Sequence, residues 1–269
     1  MLTLSWGVDL LIASRYASAV RLLRQALDEQ SDPDRQRVLR FYLARALALH
    51  GESDEALRTA DKLASDSPDS PRFQAQAAWV LYHAKRYEAA ERRYREVLQK
   101  FEPRHDSSEV RDVLRDVRLV LSIMANHRQR RPEAEEWLEQ VLDEFPEDAG
   151  ALNDLGYLWT EQGKNLNRAL VMIQEALREA PENRAYIDSL GWAYYQLGRY
   201  AEAVAQLEKA AAGEETDGVI LEHLGDAYLK VNQKHRAVAS WKQAVEAFRR
   251  NQEPDRIGSV VTKIQQHEK

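Results

Sequence analysis

The sequence predicts an all-α protein built from a row of similar helical hairpins, and three observations support this. The chain of 269 residues has 11 Gly and 8 Pro, with 44% hydrophobic and 30% charged residues, which is typical of a protein dominated by helix. Seven segments carry an alanine at a matching place: Ala19, Ala56, Ala90, Ala134, Ala169, Ala203 and Ala237. A second small residue precedes each alanine by 12 or 13 positions.

The spacing of these small residues indicates both the repeat length and the place where helices cross. Successive alanines are 37, 34, 44, 35, 34 and 34 residues apart, so a 34-residue interval recurs. Two helices can cross closely only where side chains are small. We therefore predict that each alanine and the small residue before it mark the contact inside one hairpin. The preceding small residues are Gly7, Ala44, Ala78, Ser122, Gly156, Gly191 and Gly225.

Residues 184–217 form the clearest repeat. Leu190 and Tyr194 lie four residues apart on one face of a first helix, and Gly198 provides the turn before the second helix. Together with the recurrent interval of 34 residues, this pattern resembles the tetratricopeptide repeat family, in particular its bacterial members. The resemblance is strongest over residues 149–250.

The resemblance implies a right-handed superhelical solenoid of about seven helical hairpins, followed by a C-terminal capping helix. We expect one solenoid domain over residues 1–269. The expected repeats cover residues 1–32, 37–70, 71–106, 109–148, 149–183, 184–217 and 218–251, and the capping helix covers 254–267.

The interval of 44 residues predicts an insertion between the third and fourth repeats, around residues 101–108. Ser107 or Ser108 is suited to cap a helix that begins near Glu109, so we expect a lengthened first helix in the fourth repeat. Two interpretations stay open for the insertion. It is either a hinge or contact loop, or a surface insertion that the fold tolerates.

The two ends of the chain differ in pattern. Near the C-terminus, Val260 and Ile264 belong to an amphipathic stretch with a polar far side, as a cap requires. The first helix is apolar on nearly every side and includes Trp6 and Ile12. We therefore expect that the chain is a fragment of a longer repeat protein, or that its first repeat packs on a partner or on a second copy.

Composition and motifs exclude several classes of function. The chain has no cysteine and carries a net charge of -6, which disfavours binding to nucleic acid or anionic membranes. No phosphate-binding glycine loop, HExxH or GxSxG motif occurs, and the seven histidines are scattered. We expect no enzymatic activity, cofactor or metal site. With no signal peptide or transmembrane segment, we expect a soluble protein of the cytoplasm or periplasm.

The resemblance also implies that the first helix of each hairpin lines a concave groove that recognises a protein or peptide. The second repeat would contribute Phe41 and Arg45. The other candidate groove residues are Arg72, Trp79, Tyr82, His83, Asn126, Asn153, Tyr157, Glu161, Asp188, Trp192, Tyr195, Glu222 and Asp226. Aromatic side chains are common anchors at interfaces, but Trp79 and Trp192 can equally pack against the next repeat.

Charge is unevenly distributed along the chain and favours a basic partner. Residues 85–131 contain 13 Lys and Arg against 8 Asp and Glu, whereas residues 132–217 contain 6 against 19. Such a separation can steer a basic segment onto the later repeats or promote contact between copies. The leading hypothesis is therefore a scaffold that binds another protein. The alternatives are a self-associating structural subunit and an accessory domain of a larger envelope or enzyme-associated protein.

Overall fold

A computed structural model describes residues 2–104, 107–213 and 216–268, with side chains from residue 4 onward. This part of the chain contains fifteen α-helices and no β-strand. The helices are α1 (Leu2–Ile12), α2 (Tyr16–Glu29), α3 (Pro33–His50), α4 (Ser53–Asp66), α5 (Pro71–His83), α6 (Tyr87–Phe101), α7 (Ser108–His127), α8 (Arg131–Glu144), α9 (Ala149–Glu161), α10 (Leu166–Glu179), α11 (Arg184–Gln196), α12 (Tyr200–Ala210), α13 (Gly218–Lys230), α14 (Lys234–Arg250) and α15 (Pro254–His267).

The chain divides into two compact units, Met1–Ala134 and Glu135–Lys269. In unit 1, consecutive helices pack as the hairpins α1/α2, α3/α4 and α5/α6, and the first helices α3, α5 and α7 also contact one another in order. In unit 2, the hairpins are α9/α10, α11/α12 and α13/α14, and the first helices α9, α11 and α13 likewise contact in order. The prediction of a helical repeat solenoid is confirmed, while one domain over the whole chain stays a prediction.

Five first helices begin with a side-chain cap, and six second helices begin without one. Asp32, Ser70, Asp148, Asn183 and Asp217 each accept a hydrogen bond from a backbone N–H in the first turn of α3, α5, α9, α11 and α13. These caps satisfy donors that a helix start leaves free. The helices α2, α4, α6, α10, α12 and α14 have no such bond. The five capped repeats therefore have a defined start after the preceding loop.

Each hairpin turns through a residue in the left-handed region of backbone space. Glycine occupies this position in the turns at Gly51, Gly163 and Gly198, where φ is +95°, +65° and +75°. Other residues adopt it at Ser14, Lys85, Gln129 and Asn232. The turn between α9 and α10 has one residue more than its neighbours, and Asn165 at its end also has a positive φ of 50°.

The crossing inside each hairpin lies where the small residues predict it. All seven matching alanines are at most 1% exposed. A Cβ atom added at Gly191 would lie 2.6 Å from Leu207 Cγ, and one added at Gly156 would lie 2.8 Å from Ile173 Cγ1. Atoms cannot approach so closely without displacement. The glycines are therefore required by the distance between the two helices.

The insertion before the fourth repeat has the predicted effect on helix length. α6 continues into a 3-10 turn at Glu102–Arg104, and α7 then begins at Ser108 and runs for 20 residues, compared with 13 in α5. Ser107 occupies the capping position but makes no side-chain cap bond. His105 and Asp106, also part of the predicted insertion, lie outside the described residues.

The first and last helices also distribute their apolar side chains as predicted. α15 packs on α14, with Val260 fully buried and Ile264 nearly so, in agreement with a capping helix. In α1, Trp6 is 60% exposed and Ile12 is 78% exposed. Among the described helices, none combines the length and apolar character needed to cross a membrane.

Replacing Gly225 by alanine tests the close crossing. The new Cβ would lie 2.4 Å from Trp241, so we expect Gly225→Ala to lower the free energy of unfolding by about 1–3 kcal/mol. The matched control is Gly258→Ala in α15, where no heavy atom lies within 4 Å of the new Cβ. We expect this control to raise stability by up to about 1 kcal/mol, since alanine favours helix more than glycine does. Urea denaturation followed by circular dichroism measures both, and equal effects would contradict the crossing model.

Candidate functional site

Aromatic and polar side chains from three consecutive first helices meet on one face of unit 2. α9 contributes Glu161, α11 contributes Asp188, Trp192 and Tyr195, and α13 contributes His223. Because α9 contacts α11 and α11 contacts α13, residues that are one repeat apart in sequence become neighbours. We call these five residues the aromatic-acidic cluster.

Three rings of the aromatic-acidic cluster form a stack. The centroid of the Trp192 ring lies 4.6 Å from that of Tyr195 and 4.0 Å from that of His223, with interplanar angles of 9° and 10°. The indole Nε1 of Trp192 donates a hydrogen bond to Glu161 Oε1 at 2.5 Å. A buried tryptophan needs a partner for this N–H group. Trp192 therefore links side chains from α9, α11 and α13.

His223, a member of this stack, also pairs with Asp188. The Nδ1 atom of His223 lies 3.0 Å from Asp188 Oδ1 and 3.2 Å from Oδ2, and both residues are about 6% exposed. Burial opposes the charged form of the imidazole, but neighbouring carboxylates, Asp188 foremost, together outweigh this effect and raise the pKa of His223. The carboxylates of Glu161 and Asp226 act in the same direction. The pair gives α11 and α13 a buried electrostatic contact.

The capping helix neutralises the acidic residues at the end of this face. Lys263 Nζ donates to Glu222 Oε1 at 2.8 Å and to Asp226 Oδ2 at 2.7 Å. Arg256 lies 3.6 Å from Glu222, and the indole of Trp241 donates to Asp226 at 2.9 Å. Burial raises the pKa of Asp226, an effect that Lys263 partly offsets. Glu222 and Asp226, both predicted as groove residues, are thus paired with Lys263 of α15.

Two other predicted residues of unit 2 lie on α9. Tyr157 is half-buried, and its ring lies 6.4 Å from that of His223. Burial raises the pKa of its hydroxyl. The amide nitrogen of Asn153 donates to Asp154 at 3.1 Å, whereas the buried amide oxygen has no hydrogen-bond partner among the described residues. Tyr157 thus lies beside the aromatic-acidic cluster.

The predicted groove residues of unit 1 form a separate group. The Trp79 and His83 rings stack at 3.7 Å, and His83 Nδ1 donates to the Trp79 carbonyl at 3.0 Å. Tyr82 packs edge-on against the Tyr87 ring at 5.7 Å. Arg72, His83 and Asn126 are exposed, while Trp79 and Tyr82 are half-buried.

Three of the candidate groove residues are buried, although residues that line a binding groove are expected to be exposed to a partner. Asn153 and Asp188 are 6% exposed and Trp192 is 9% exposed, so the expected exposure is wrong for these three, and their part in binding stays a prediction. For Asp188 and Trp192 the reason is His223, which the next repeat places against both side chains. Of the two interpretations left open for Trp192, packing against the next repeat describes its contacts. Glu161, by contrast, is exposed, and Tyr195 is half-buried.

Sequence reasoning missed His223 and Lys263. His223 lies two residues before the small residue Gly225, where the preceding repeat has Ser189 before Gly191. A histidine in place of that serine was the available signal. Its role depends on Asp188, which is 35 residues away in sequence, so the repeat register was needed to find it. Lys263 was overlooked because α15 was considered only as a cap.

The described residues contain no group of His, Cys, Asp or Glu arranged to hold a metal ion. The acidic groups of the face are held by Trp192, His223 and Lys263 in contacts that stabilise the helix layer. What this arrangement offers a ligand is a rigid surface with an exposed carboxylate, Glu161, beside partly exposed rings of Tyr157 and Tyr195.

Family models for the tetratricopeptide repeat match residues 10–80, 116–140 and 138–255. The chain belongs to the tetratricopeptide repeat family. A curated TPR repeat-containing protein of Pseudomonas aeruginosa is 28% identical over 179 residues, which is 65% of this chain. The match spans 28% of the length of that relative.

Solved structures of the family share the fold. A tetratricopeptide repeat protein from Parabacteroides merdae is similar with a TM-score of 0.62 and 18% identity, covering 91% of each chain. PilF of Pseudomonas aeruginosa is similar with a TM-score of 0.65 and 18% identity, covering 88% of this chain and 99% of that one. At such identities the likeness concerns the arrangement of helices.

The His223–Asp188 pair predicts how stability depends on pH. A raised pKa means that the folded state holds a proton that the unfolded state releases at lower pH. The stabilisation is therefore complete below the ordinary histidine pKa of about 6.5 and is lost as pH rises through the higher folded value. We expect the free energy of unfolding to fall in this range, as measured by urea denaturation between pH 5.5 and pH 9.

Two variants isolate this effect. His223→Gln keeps a hydrogen-bond donor near Asp188 but cannot titrate, so this part of the pH dependence should disappear. His235→Gln replaces an exposed histidine on α14 and should leave the dependence unchanged. An identical pH profile for wild type and His223→Gln would show that the pair contributes nothing.

Proposed function

We propose that this chain is a non-catalytic scaffold that binds a segment of another protein on the first-helix face of unit 2. Tetratricopeptide repeat proteins bind protein partners, and this chain belongs to that family. The single observation that carries the proposal to this face is the aromatic-acidic cluster, which presents Tyr195 and Glu161 from a fixed framework.

The rigidity of the face favours recognition. Trp192 is held between the Tyr195 and His223 rings and hydrogen bonds to Glu161, so these side chains are ordered before a partner arrives. Ordering a flexible side chain on binding costs about 0.5–1.5 kcal/mol, and a preformed surface avoids this cost. Tyrosine rings add contact area with little loss of conformational entropy.

The negative charge of this region favours binding of a basic segment of the partner. Residues 132–217 carry 19 acidic and 6 basic side chains. Lys263 pairs with both Glu222 and Asp226, and Arg256 lies near Glu222, so the acidic groups of α13 are already engaged within the chain. Glu161 on α9 is exposed and accepts one hydrogen bond from Trp192, which leaves its carboxylate able to attract a cation. The proposed centre of binding is therefore α9 and α11.

A second candidate function is self-association through the first repeat. The favouring observation is the exposure of Trp6 and Ile12 on α1, because large exposed apolar side chains often mark interfaces. Sedimentation or light scattering of wild type and a Trp6→Ser variant tests this candidate separately. A concentration-dependent increase in mass for wild type alone would support it.

Binding of a basic peptide tests the main proposal. We would use fluorescein-labelled decapeptides of net charge +4, 0 and -4 that share the same apolar residues, and measure fluorescence anisotropy. We expect the basic peptide to bind most tightly and to lose affinity as salt rises, because screening weakens attraction between charges. Equal affinity for the three peptides, or affinity independent of salt, would contradict the proposal.

Matched variants locate the binding face. Glu161→Gln should weaken binding of the basic peptide by up to about five-fold, since an exposed ion pair is worth about 0.2–1 kcal/mol. Glu179→Gln is the control, because Glu179 is also exposed but lies on the second helix α10. A larger effect of Glu179→Gln would indicate that the peptide binds to the second helices and would contradict the proposed face.

A further inference from the structure

His223 lies within the aromatic-acidic cluster, yet the proposed function gives its charge no part in recognition. Its ring stacks on that of Trp192 at 4.0 Å and lies 6.4 Å from that of Tyr157. Its Nδ1 atom lies 3.0 Å from Asp188 Oδ1, and the residue is 6% exposed. Histidine is the side chain whose charge changes most readily near neutral pH. A change of charge therefore takes place inside the cluster that forms the binding face.

Carboxylates from three helices act on the imidazole. The ionisable groups around it are Glu161 and Tyr157 on α9, Asp188 on α11, and Glu222 and Asp226 on its own helix, which pair with Lys263 and Arg256 of α15. Burial raises the pKa of the Tyr157 hydroxyl, so this group stays neutral near pH 7. The proton on His223 is thus the charge that offsets Asp188 within the cluster.

Loss of this proton changes the charge of the cluster and leaves its contacts in place. A neutral imidazole protonated on Nδ1 still donates to Asp188 and still stacks on Trp192. Asp188, however, forms no other ion pair in the described part of the chain, so its buried carboxylate is left without a cation. A buried charge acts more strongly on its surroundings than an exposed one, because little water screens it. Deprotonation therefore makes this face more negative.

Trp192 connects this charge to the carboxylate proposed to meet the partner. Its indole stacks on the His223 ring, and its Nε1 atom donates to Glu161 Oε1 at 2.5 Å. The negative charge of Glu161 favours the protonated imidazole, so the two groups interact electrostatically. A cation bound at Glu161 would act on the imidazole with the opposite sign.

We propose that His223 determines how strongly this face prefers a basic segment over a neutral one. With its proton, His223 cancels the charge of Asp188, and the attraction comes chiefly from Glu161. Without the proton, Asp188 adds a second negative charge, and the preference increases. Coupling between two binding events is reciprocal, so a bound basic segment also favours release of the proton. This inference rests on the proposed function, in which a basic segment contacts Glu161.

Peptide selectivity measured against pH tests the proposal. We would use amidated, rhodamine-labelled decapeptides of net charge +4 and 0, in which arginine supplies every positive charge because it does not titrate in proteins. Fluorescence anisotropy at constant ionic strength gives the selectivity, which is the Kd of the neutral peptide divided by that of the basic one. For wild type we expect a rise of about three- to ten-fold from pH 5.5 to pH 9, as one added charge at a partly buried site produces. Constant selectivity would overturn the proposal.

Two variants have opposite expected effects. His223→Gln removes the proton and keeps a donor near Asp188, so its selectivity at pH 5.5 should already equal that of wild type at pH 9. Asp188→Asn removes the buried charge, so its selectivity at pH 9 should stay at the low value of wild type at pH 5.5. His235→Gln replaces an exposed histidine on α14, is the matched control and should follow wild type.

These outcomes separate a charge effect from a purely structural one. If His223 only holds α11 and α13 together, His223→Gln would weaken both peptides and leave the selectivity at pH 5.5 at the wild-type value, which would contradict the proposal. Circular dichroism establishes that each variant is folded at both pH values. Should His223→Gln fail to fold, Asp188→Asn decides the outcome, because a selectivity at pH 9 as high as that of wild type would also contradict the proposal.

Proton release provides a readout that is independent of affinity. Calorimetry of the basic peptide, at the midpoint of the pH-dependent rise, is carried out in two buffers of different ionisation enthalpy. Wild type should release a fraction of a proton for each bound peptide, and His223→Gln should release none. Equal proton release by both proteins would contradict the assignment to His223.

The same peptides distinguish failure of this inference from failure of the proposed function. A preference for the basic peptide that weakens with salt but does not change with pH would overturn this inference alone. Equal affinity for both peptides at every pH would overturn both.

Discussion

The close crossing of two helices inside each hairpin is the constraint on which the rest of this protein depends. In unit 2 the crossing residues are glycines, and the facing side chains already occupy the space that a Cβ would need. The matching alanine on the second helix is fully buried. Because the two helices approach closely, one short hairpin buries a continuous apolar surface between them. It also fixes the first helices at a spacing that allows side chains one repeat apart to touch.

That spacing explains why polar residues are buried between repeats. Among the described residues Asp188 makes no ion pair within its own hairpin, yet it lies 3.0 Å from His223 of the next. Trp192 likewise receives its acceptor from the preceding repeat and its stacking partner from the following one. In a repeat protein, each unit contacts mainly its neighbours, so such contacts carry specificity along the array. Residues that look like recognition residues in one repeat can therefore be structural.

The fold was largely predictable from the sequence, and the candidate site was not. Alanine spacing, the paired glycines and the long α7 all follow from local sequence and helix geometry. The burial of Asp188 and the engagement of Asp226 by Lys263 depend on pairs 35 and 37 residues apart. Arg45 was placed correctly on a first helix, but the contact of its guanidinium with the Trp79 ring, at 4.5 Å, became visible only when α5 was in position.

The central claim is that partners contact the first helices of unit 2, and photo-crosslinking tests it most directly. A benzoylphenylalanine at position 195 lies on the first helix α11, and one at position 171 replaces Val171, which is 51% exposed on the second helix α10. With a bound basic peptide, our account expects a crosslink from position 195 and none from position 171. A crosslink from position 171 alone would contradict it.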